Sequence, residues 1–311
     1  MSFSGDIKEE LLFVSGNSRH CQMAELAAYM RFCGRYKESE NGGRMLFLQT
    51  ENKIVARKCF TLLKKTFKIY VDVTARRVGG STGTITYLLR MDEHPMCSKV
   101  AEALKTADRE TEGDVSPLLL KNSCCKRAFL RGVYLAAGSM SDPYKGYHLE
   151  LVCQKPEQAE QIQKLLQSFG LDAKTVLRKK YYVVYIKEGE NIADFLNIIE
   201  AHKALMEFEN TRIYKGVRNM VNRKVNCDAA NINKTVSAAA RQVEDIEYIR
   251  AVCGLEKLPE HLKEMAYVRL DNPEVPLGEL GKLLDPPVGK SGVNHRLRKL
   301  GEFAKSLRDS Y

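Results

Sequence analysis

The feature that most constrains this chain is a repeated helix with a smooth face. Residues 124–143 read CCKRAFLRGVYLAAGSMSDP, in which Ala128, Gly132 and Ala136 recur at every fourth position. Positions four apart lie above one another on an α-helix, so the three form a stripe almost without side-chain relief. Such a stripe lets two helix backbones approach closely. Lys126, Arg127 and Arg131 share the segment, so the stripe is a packing device in water and not a membrane motif. A helix shaped this way requires a partner. About 104 residues earlier the chain reads CQMAELAAYMRFCGRY over 21–36, with Ala24 and Ala28 four apart. Gly138 stands where a left-handed glycine cap is expected to stop the later helix, and Gly34 stands at the same place in the earlier one.

The pattern after each smooth helix also repeats. In the first half, residues 34–50 read as a hairpin turning at Asn41-Gly42-Gly43. An amphipathic helix over 51–67 follows, with Ile54, Cys59, Leu62, Leu63 and Phe67 on one side. Two strands, 68–78 and 84–90, join through GGSTG, and a helix over 96–107 closes the half. In the second half, a turn at Ser141-Asp142-Pro143 leads to a strand over 146–153. A helix over 156–170 then ends at Gly170, followed by strands over 172–179 and 181–187 and a helix over 191–202. The expected class is α+β. Its body states αββαββα twice, over 1–108 and 124–203, with 109–123 as a linker.

The two smooth segments resemble the helix of the LAGLIDADG homing endonuclease fold. The nine-letter motif falls on Leu26 to Gly34 (LAAYMRFCG) and on Leu130 to Gly138 (LRGVYLAAG). The resemblance implies that both helices pack at the centre of two pseudo-symmetric halves, whose sheets form a saddle suited to DNA. It places the metal-binding acid at the eighth letter, which is Cys33 in one copy and Ala137 in the other. The scaffold is therefore expected without the cleavage chemistry. The strands carry Arg44, Lys68, Arg76, Arg77, Arg90, Lys174, Arg178, Lys179, Lys180 and Lys187. A DNA-facing saddle, an ordinary solvated face and a protein-contact surface all remain open for them. A start reading MSFSGDIKEELLF is expected to form a surface helix capped by Ser4.

Beyond the body, 204–232 reads as a basic linker. It holds Arg212, Lys215, Arg218, Arg223 and Lys224, and over 210–227 it has no acid. Arg218, Arg223 and Lys224 are candidate phosphate contacts, with a merely solvated linker as the alternative. A helical domain is expected over 233–311. Its first helix carries Val236, Ala239, Ala240, Val243, Ile246 and Ile249 and ends at Gly254. The second, 260–270, carries Leu262, Met265, Ala266 and Leu270. A short third helix, 276–284, contains Gly278 and Gly281, each costing about 1 kcal/mol of helix propensity unless another helix crosses closely. Asp285-Pro286-Pro287 ends it. Ser291 is expected to cap a last helix whose buried side is Val293, Leu297, Leu300, Ala304 and Leu307. Its opposite side presents Lys290, Ser291, Asn294, His295, Arg298 and Lys299, flanked by Arg296. Amide and cationic groups of this kind are what reading of the DNA major groove requires. The proline turn is longer than in a strict helix-turn-helix and resembles the variant in region four of bacterial sigma factors.

Composition narrows the partners. The formal net charge of +10 favours an acidic partner, with nucleic acid first. Double-stranded DNA is the expected partner, and a co-regulator protein is left open as a second. No secretory pattern and no run of 18 apolar residues is found, so no membrane contact is expected. Nine cysteines without CxxC pairs or histidine at ligand spacing read as free thiols in a reducing cytoplasm, with no metal and no cofactor. The Gly79-Gly80 and Gly83 cluster lies between strands, so it reads as a hairpin and not a phosphate loop. Asp142, the acid nearest the second motif, reads as part of a turn.

Several runs together resemble the WhiA regulator family: MSFSGDIKEEL, YHLELVC, GENIADFL, NRKVNCDAAN, KTVSAAARQVEDI and LLDPPVGKSGVNHRL, besides the smooth-helix segment. The resemblance covers the whole chain. It implies a cytoplasmic, nucleoid-associated, sequence-specific DNA-binding transcription regulator. It also implies links to sporulation, cell division, the cell cycle and chromosome segregation, and no enzymatic activity. An active endonuclease using other acids, and a body that is mainly a partner-protein platform, are the alternative readings.

Overall fold

A computed structural model of the chain describes residues 2–38, 44–78, 83–91, 94–104 and 114–310. The turn at 41–43, most of GGSTG, the end of the predicted 96–107 helix and residues 109–113 of the linker lie outside the described residues. The structure divides into two compact units, Met1–Lys215 and Gly216–Tyr311.

The first unit opens with α1 (Phe3–Phe13) and then states one pattern twice. The first copy is α2 (Arg19–Cys33), β1 (Gly34–Glu38), β2 (Arg44–Thr50), α3 (Lys53–Phe67), β3 (Asp72–Val78), β4 (Thr84–Met91) and α4 (His94–Ala103). The second is α5 (Ser123–Ala137), β5 (Gly138–Met140), β6 (Leu149–Cys153), α6 (Pro156–Gln167), β7 (Lys174–Arg178), β8 (Tyr181–Ile186) and α7 (Gly189–Ile198). Each copy makes a four-stranded antiparallel sheet, β1-β2-β4-β3 and β5-β6-β8-β7. The strand β5 fills the place that the repeated αββαββα order implies, though it is too short to show a period-two pattern of its own.

The smooth helices pack face to face. Ala24, Ala28, Ala128 and Gly132 are buried between them. A β-carbon added at Gly132 would lie 2.7 Å from Ala28 Cβ and 2.9 Å from the Glu25 carbonyl oxygen. At this crossing only glycine fits. The glycine stops work differently from the expectation. Gly34 has φ −79° and ψ 146°, and Gly138 has φ −89° and ψ 149°, so both are extended. Each is the first residue of a strand that leaves its helix without a loop. A β-carbon at either would run into the carbonyl oxygen four residues back, on Met30 or Tyr134. The requirement is for a missing side chain and not for positive φ. Gly170, with φ of +83°, does occupy the left-handed region after α6.

Two further expectations need correction. α1 is capped by Ser2, whose hydroxyl accepts from the Gly5 amide at 3.2 Å. Ser4 instead sits 3.2 Å from the Tyr134 hydroxyl and accepts from the Met140 amide at 3.2 Å, tying α1 to the second half. Phe3, Ile7 and Leu11 are buried, so α1 belongs to the core on one side.

A charged cluster lies inside this core. Glu25 of α2 is fully buried and pairs with Lys58 Nζ at 2.6 Å and Arg131 Nε at 3.3 Å. Tyr29 donates to the same carboxylate at 2.8 Å. Arg131 reaches Glu200 at 2.6 Å, and Lys58 donates to the Leu11 carbonyl at 2.7 Å. Burial pushes the Lys58 ammonium down, an effect that Glu25 opposes. Unpaired, any of these charges would cost several kcal/mol in such surroundings. The cluster therefore fixes how α1, α2, α3 and α5 meet.

The stretch 204–232 is helical and not an open connector. Helix α8 runs without a break from His202 to Val252. The second unit then holds a 3-10 turn (Leu255–Lys257), α9 (Glu260–Asp271), α10 (Leu277–Leu280), a second 3-10 turn (Gly281–Leu283) and α11 (Lys290–Ser310). Gly254, with φ of +77°, follows α8 as the sequence predicts. Its core joins Ile246, Ile249, Leu262, Met265, Ala266, Leu280, Leu284, Val293, Leu297, Leu300 and Ala304. Val236 and Ala240, expected inside, are exposed. Among the described residues no helix is long and apolar enough to cross a membrane.

Candidate nucleic-acid interface

The last helix and the turn before it form the clearest surface of recognition type. α11 begins at Lys290, so Ser291 lies inside the helix and is not its cap; the Gly292 and Val293 amides donate to the Gly289 carbonyl instead. Val293, Leu297, Leu300 and Ala304 face inward. Ser291, Asn294, His295 and Arg298 lie on the opposite side, and all are exposed. Lys290 and Lys299 are exposed beside them, and Lys305 continues the stripe two turns on. Ser291 to Arg298 spans two helical turns, roughly 10 Å, a length the major groove can admit. Arg298 pairs with Glu302 at 3.4 Å, but both side chains are about two-thirds exposed. An exposed i,i+4 pair is worth roughly 0.3–0.5 kcal/mol, so a stronger acceptor can displace it.

Arg296 does not belong to this face. It is half-buried, 3.4 Å from Glu264 and 3.4 Å from the His261 carbonyl. The same Glu264 carboxylate accepts the Asp285 amide at 2.7 Å. One carboxylate of α9 thus holds both the proline turn and the start of α11. Sequence reasoning missed Glu264 because nothing local marks an acid that binds across the fold. Two further cations are also structural. Arg269 is buried and donates to the Val275 carbonyl at 2.8 Å, and Arg308 pairs with Asp245 at 2.9 Å.

The turn rests on one of its two glycines. The Val288 amide donates to the Gly281 carbonyl at 2.9 Å, and a β-carbon at Gly281 would collide with the Val288 carbonyl oxygen. Gly278 has open space around it, so no helix crosses there. The third helix is accordingly shorter than predicted and tightens into a 3-10 turn.

The basic stretch offers less than a clamp. Arg218, Arg223 and Lys224 are exposed on α8. At about 100° per residue they point in three different directions, so a single strand of phosphates cannot meet all three. Arg212 is engaged by Glu209 at 2.7 Å, and Lys215 lies over the Tyr147 ring at 4.9 Å.

In the first unit the two open sheet faces differ. Register places Arg35, Phe47, Arg90 and Asp72 in one row across the first sheet, with Arg76 four residue pairs further along β3. Arg76 and Arg90 share this face; Arg77 points to the other. On the second sheet Glu150 takes a bidentate pair from Arg178 at 3.2 and 2.9 Å and lies 2.6 Å from His148. Burial would raise the Glu150 carboxyl, but the hydrogen bonds from His148 and Arg178 outweigh it and hold it below the usual range. Its neighbours in the next row are Val152, Val183 and Val176. That face is partly self-neutralised and partly apolar.

The motif's eighth letters sit at the helix ends. Cys33 closes α2 and Ala137 closes α5, both half-buried. Burial pushes the Cys33 thiol up to about 11, against the pull of Thr50 and Lys8. A cleft of about 400 Å³ beside Cys33 is lined by Arg31, Arg35, Gln49, Thr50 and others, and Glu51 is its one carboxylate among the described residues.

Family models match in three places: the WhiA N-terminal LAGLIDADG-like domain at 19–106, the WhiA LAGLIDADG-like domain at 126–218, and the WhiA C-terminal HTH domain at 221–304. A probable cell division protein WhiA from Lachnoclostridium phytofermentans is 51% identical over 312 residues, covering 99% of this chain and 100% of that protein. Its counterpart from Alkaliphilus oremlandii is 47% identical, covering 99% of this chain and 98% of that protein. The crystal structure of full-length WhiA from Thermatoga maritima superposes with a TM-score of 0.61 at 27% identity, covering 98% of this chain and 99% of that one. With two LAGLIDADG-like domains and a C-terminal HTH domain matched by family models, and relatives matching end to end, the chain belongs to the WhiA family.

Proposed function

We propose that the protein is a sequence-specific DNA-binding transcriptional regulator in which α11 reads base edges from the major groove. The carrying observation is the exposed row Ser291, Asn294, His295 and Arg298 directly opposite an apolar seam. Asn pairs with adenine and Arg with guanine by bidentate hydrogen bonds, and Lys290, Ser291 and Lys299 suit phosphate. Arg218, Arg223 and Lys224 add sequence-independent affinity, each toward its own stretch of backbone. The relatives' names support a role in cell division. Sporulation, chromosome segregation, a nucleoid location in the cytoplasm and a co-regulator partner belong to the same reading.

The body does not cut DNA in this account. Metal-assisted phosphodiester cleavage requires carboxylates that hold divalent ions against the scissile phosphate. Ala137 has no ligand atom, and Cys33 is a neutral thiol where magnesium demands oxygen. Arg35, Arg76 and Arg90 favour a first sheet that rests on phosphate. The exposed Val176 and half-buried Val152 favour a second sheet suited to a protein partner. Footprinting on genomic fragments in the presence of magnesium or manganese tests the whole reading. Protected sites on intact DNA are expected; metal-dependent double-strand breaks that co-purify with the protein would overturn it.

A further inference from the structure

Four metal-ligating side chains converge at the N-terminal end of the central helix pair. His20 and Cys21 are the second and third residues of α2, and Cys124 and Cys125 hold the same two positions in α5. All four ligand atoms lie within 4.8 Å of one another. His20 Nδ1 is 3.2 Å from Cys125 Sγ and 3.3 Å from Cys21 Sγ. Cys21 and Cys125 are buried, while His20 and Cys124 are exposed, so the cluster opens to solvent on one side. The internal repeat places the two pairs in equivalent positions, and the close crossing at Gly132 brings their helices together. Sequence spacing hides such a set, because each pair consists of adjacent residues and the pairs are more than a hundred positions apart.

We propose that His20, Cys21, Cys124 and Cys125 form a binding site for a borderline or soft metal cation, with Zn²⁺ as the expected occupant. Three thiolates and one imidazole are a closed tetrahedral donor set of the structural type. With metal–ligand distances of about 2.0–2.3 Å, tetrahedral geometry separates the ligand atoms by roughly 3.5–3.8 Å. The cluster reaches that spacing by small rotamer adjustments. No carboxylate belongs to it, which disfavours magnesium and calcium. The thiols sit in the first turns of two helices, where the helix dipole favours the thiolate form, against burial that pushes the Cys21 thiol up to about 12 and raises the Cys125 thiol, so the ion itself must draw off their protons. Neither Ser18 nor Asn122 caps its helix with a side chain, so that field is not spent on a capping oxygen. Each ligating thiol gives its proton to solvent as the metal–sulfur bond forms, and no electron is transferred. An ion held there would clip the first half of the body to the second.

The full-length chain, reduced and stripped with chelator under argon, would be loaded with Zn²⁺, desalted and assayed for metal. One ion per chain is expected, together with a higher thermal midpoint. Loading with Co²⁺ should give the intense visible bands of tetrahedral cobalt and a thiolate charge-transfer band. Cys124→Ser and His20→Ala alter exposed side chains, so folding is retained and can be checked by circular dichroism. Each should weaken binding roughly tenfold or more and abolish the thermal gain. Cys227→Ser, an exposed thiol outside the cluster, should change nothing. Substoichiometric metal in the wild type, full binding by Cys124→Ser and His20→Ala, or loss on Cys227→Ser would each overturn the assignment.

Discussion

Substituting Gly132 tests the central crossing with the least ambiguity. In an isolated helix Gly132→Ala would gain about 1 kcal/mol of propensity. Here the new methyl would lie 2.7 Å from Ala28 Cβ and 2.9 Å from the Glu25 carbonyl oxygen, well inside van der Waals contact. Neither neighbour can swing away, since one is a β-carbon and the other is backbone. Overpacking of this kind costs about 1–3 kcal/mol, so Gly132→Ala should destabilise by roughly 0–2 kcal/mol net. Gly132→Leu adds three more carbons to a filled space and must push α2 from α5. That movement also opens the Arg131–Glu25 contact, already 3.3 Å long. Losing a buried pair costs about 3–5 kcal/mol, so Gly132→Leu should lose at least 3 kcal/mol or fail to fold. Urea unfolding of the full chain by circular dichroism measures both. A Gly132→Ala variant more stable than wild type by the full propensity gain would refute the close crossing.

Three further outcomes follow from the same contacts. Gly278→Ala should stabilise the second unit by about 0.5–1 kcal/mol, whereas Gly281→Ala should destabilise it, because only the latter meets the Val288 carbonyl; thermal melts separate the two. Glu264→Ala leaves the Asp285 amide and Arg296 without their shared acceptor, so it should cost about 1–2 kcal/mol and weaken DNA binding with no contact to DNA itself. Glu150 has a folded carboxyl pKa below its unfolded value, so its contribution is present at neutral pH and is lost as pH falls through the folded value. Glu150→Gln should therefore flatten the acid limb of a stability–pH curve, and an unchanged limb would contradict the Arg178–His148–Glu150 cluster.

Much of the body was legible because its signals are periodic or local. Alanines and a glycine at fourfold spacing announced the helix pair, and Leu262, Met265, Val293, Leu297 and Ala304 announced the core of the second unit. What stayed hidden depends on contacts across the chain. Gly34 and Gly138 look like left-handed caps but serve as bare backbone at a helix-to-strand junction. Arg296, Arg269 and Arg308 add to the positive charge yet are spent on Glu264, the Val275 carbonyl and Asp245. The run 204–232 reads as a linker because of its basic residues, although Ile213, Val217, Val221 and Val225 recur at every fourth position, a helical period whose apolar side is exposed within its unit. Glu25, Lys58 and Arg131 are ordinary charges in sequence and become a buried network only when three helices meet.

The decisive measurement is the ratio of specific to random DNA binding for variants of α11 and α8, titrated against salt. Arg298→Ala should lose about 1–3 kcal/mol on the preferred site and relax preference at one base pair, while scarcely changing binding to random DNA. Arg223→Ala should weaken both DNAs about equally and reduce the salt slope by about one. If Arg298→Ala left the ratio of specific to random binding unchanged, α11 would not be the element that reads sequence.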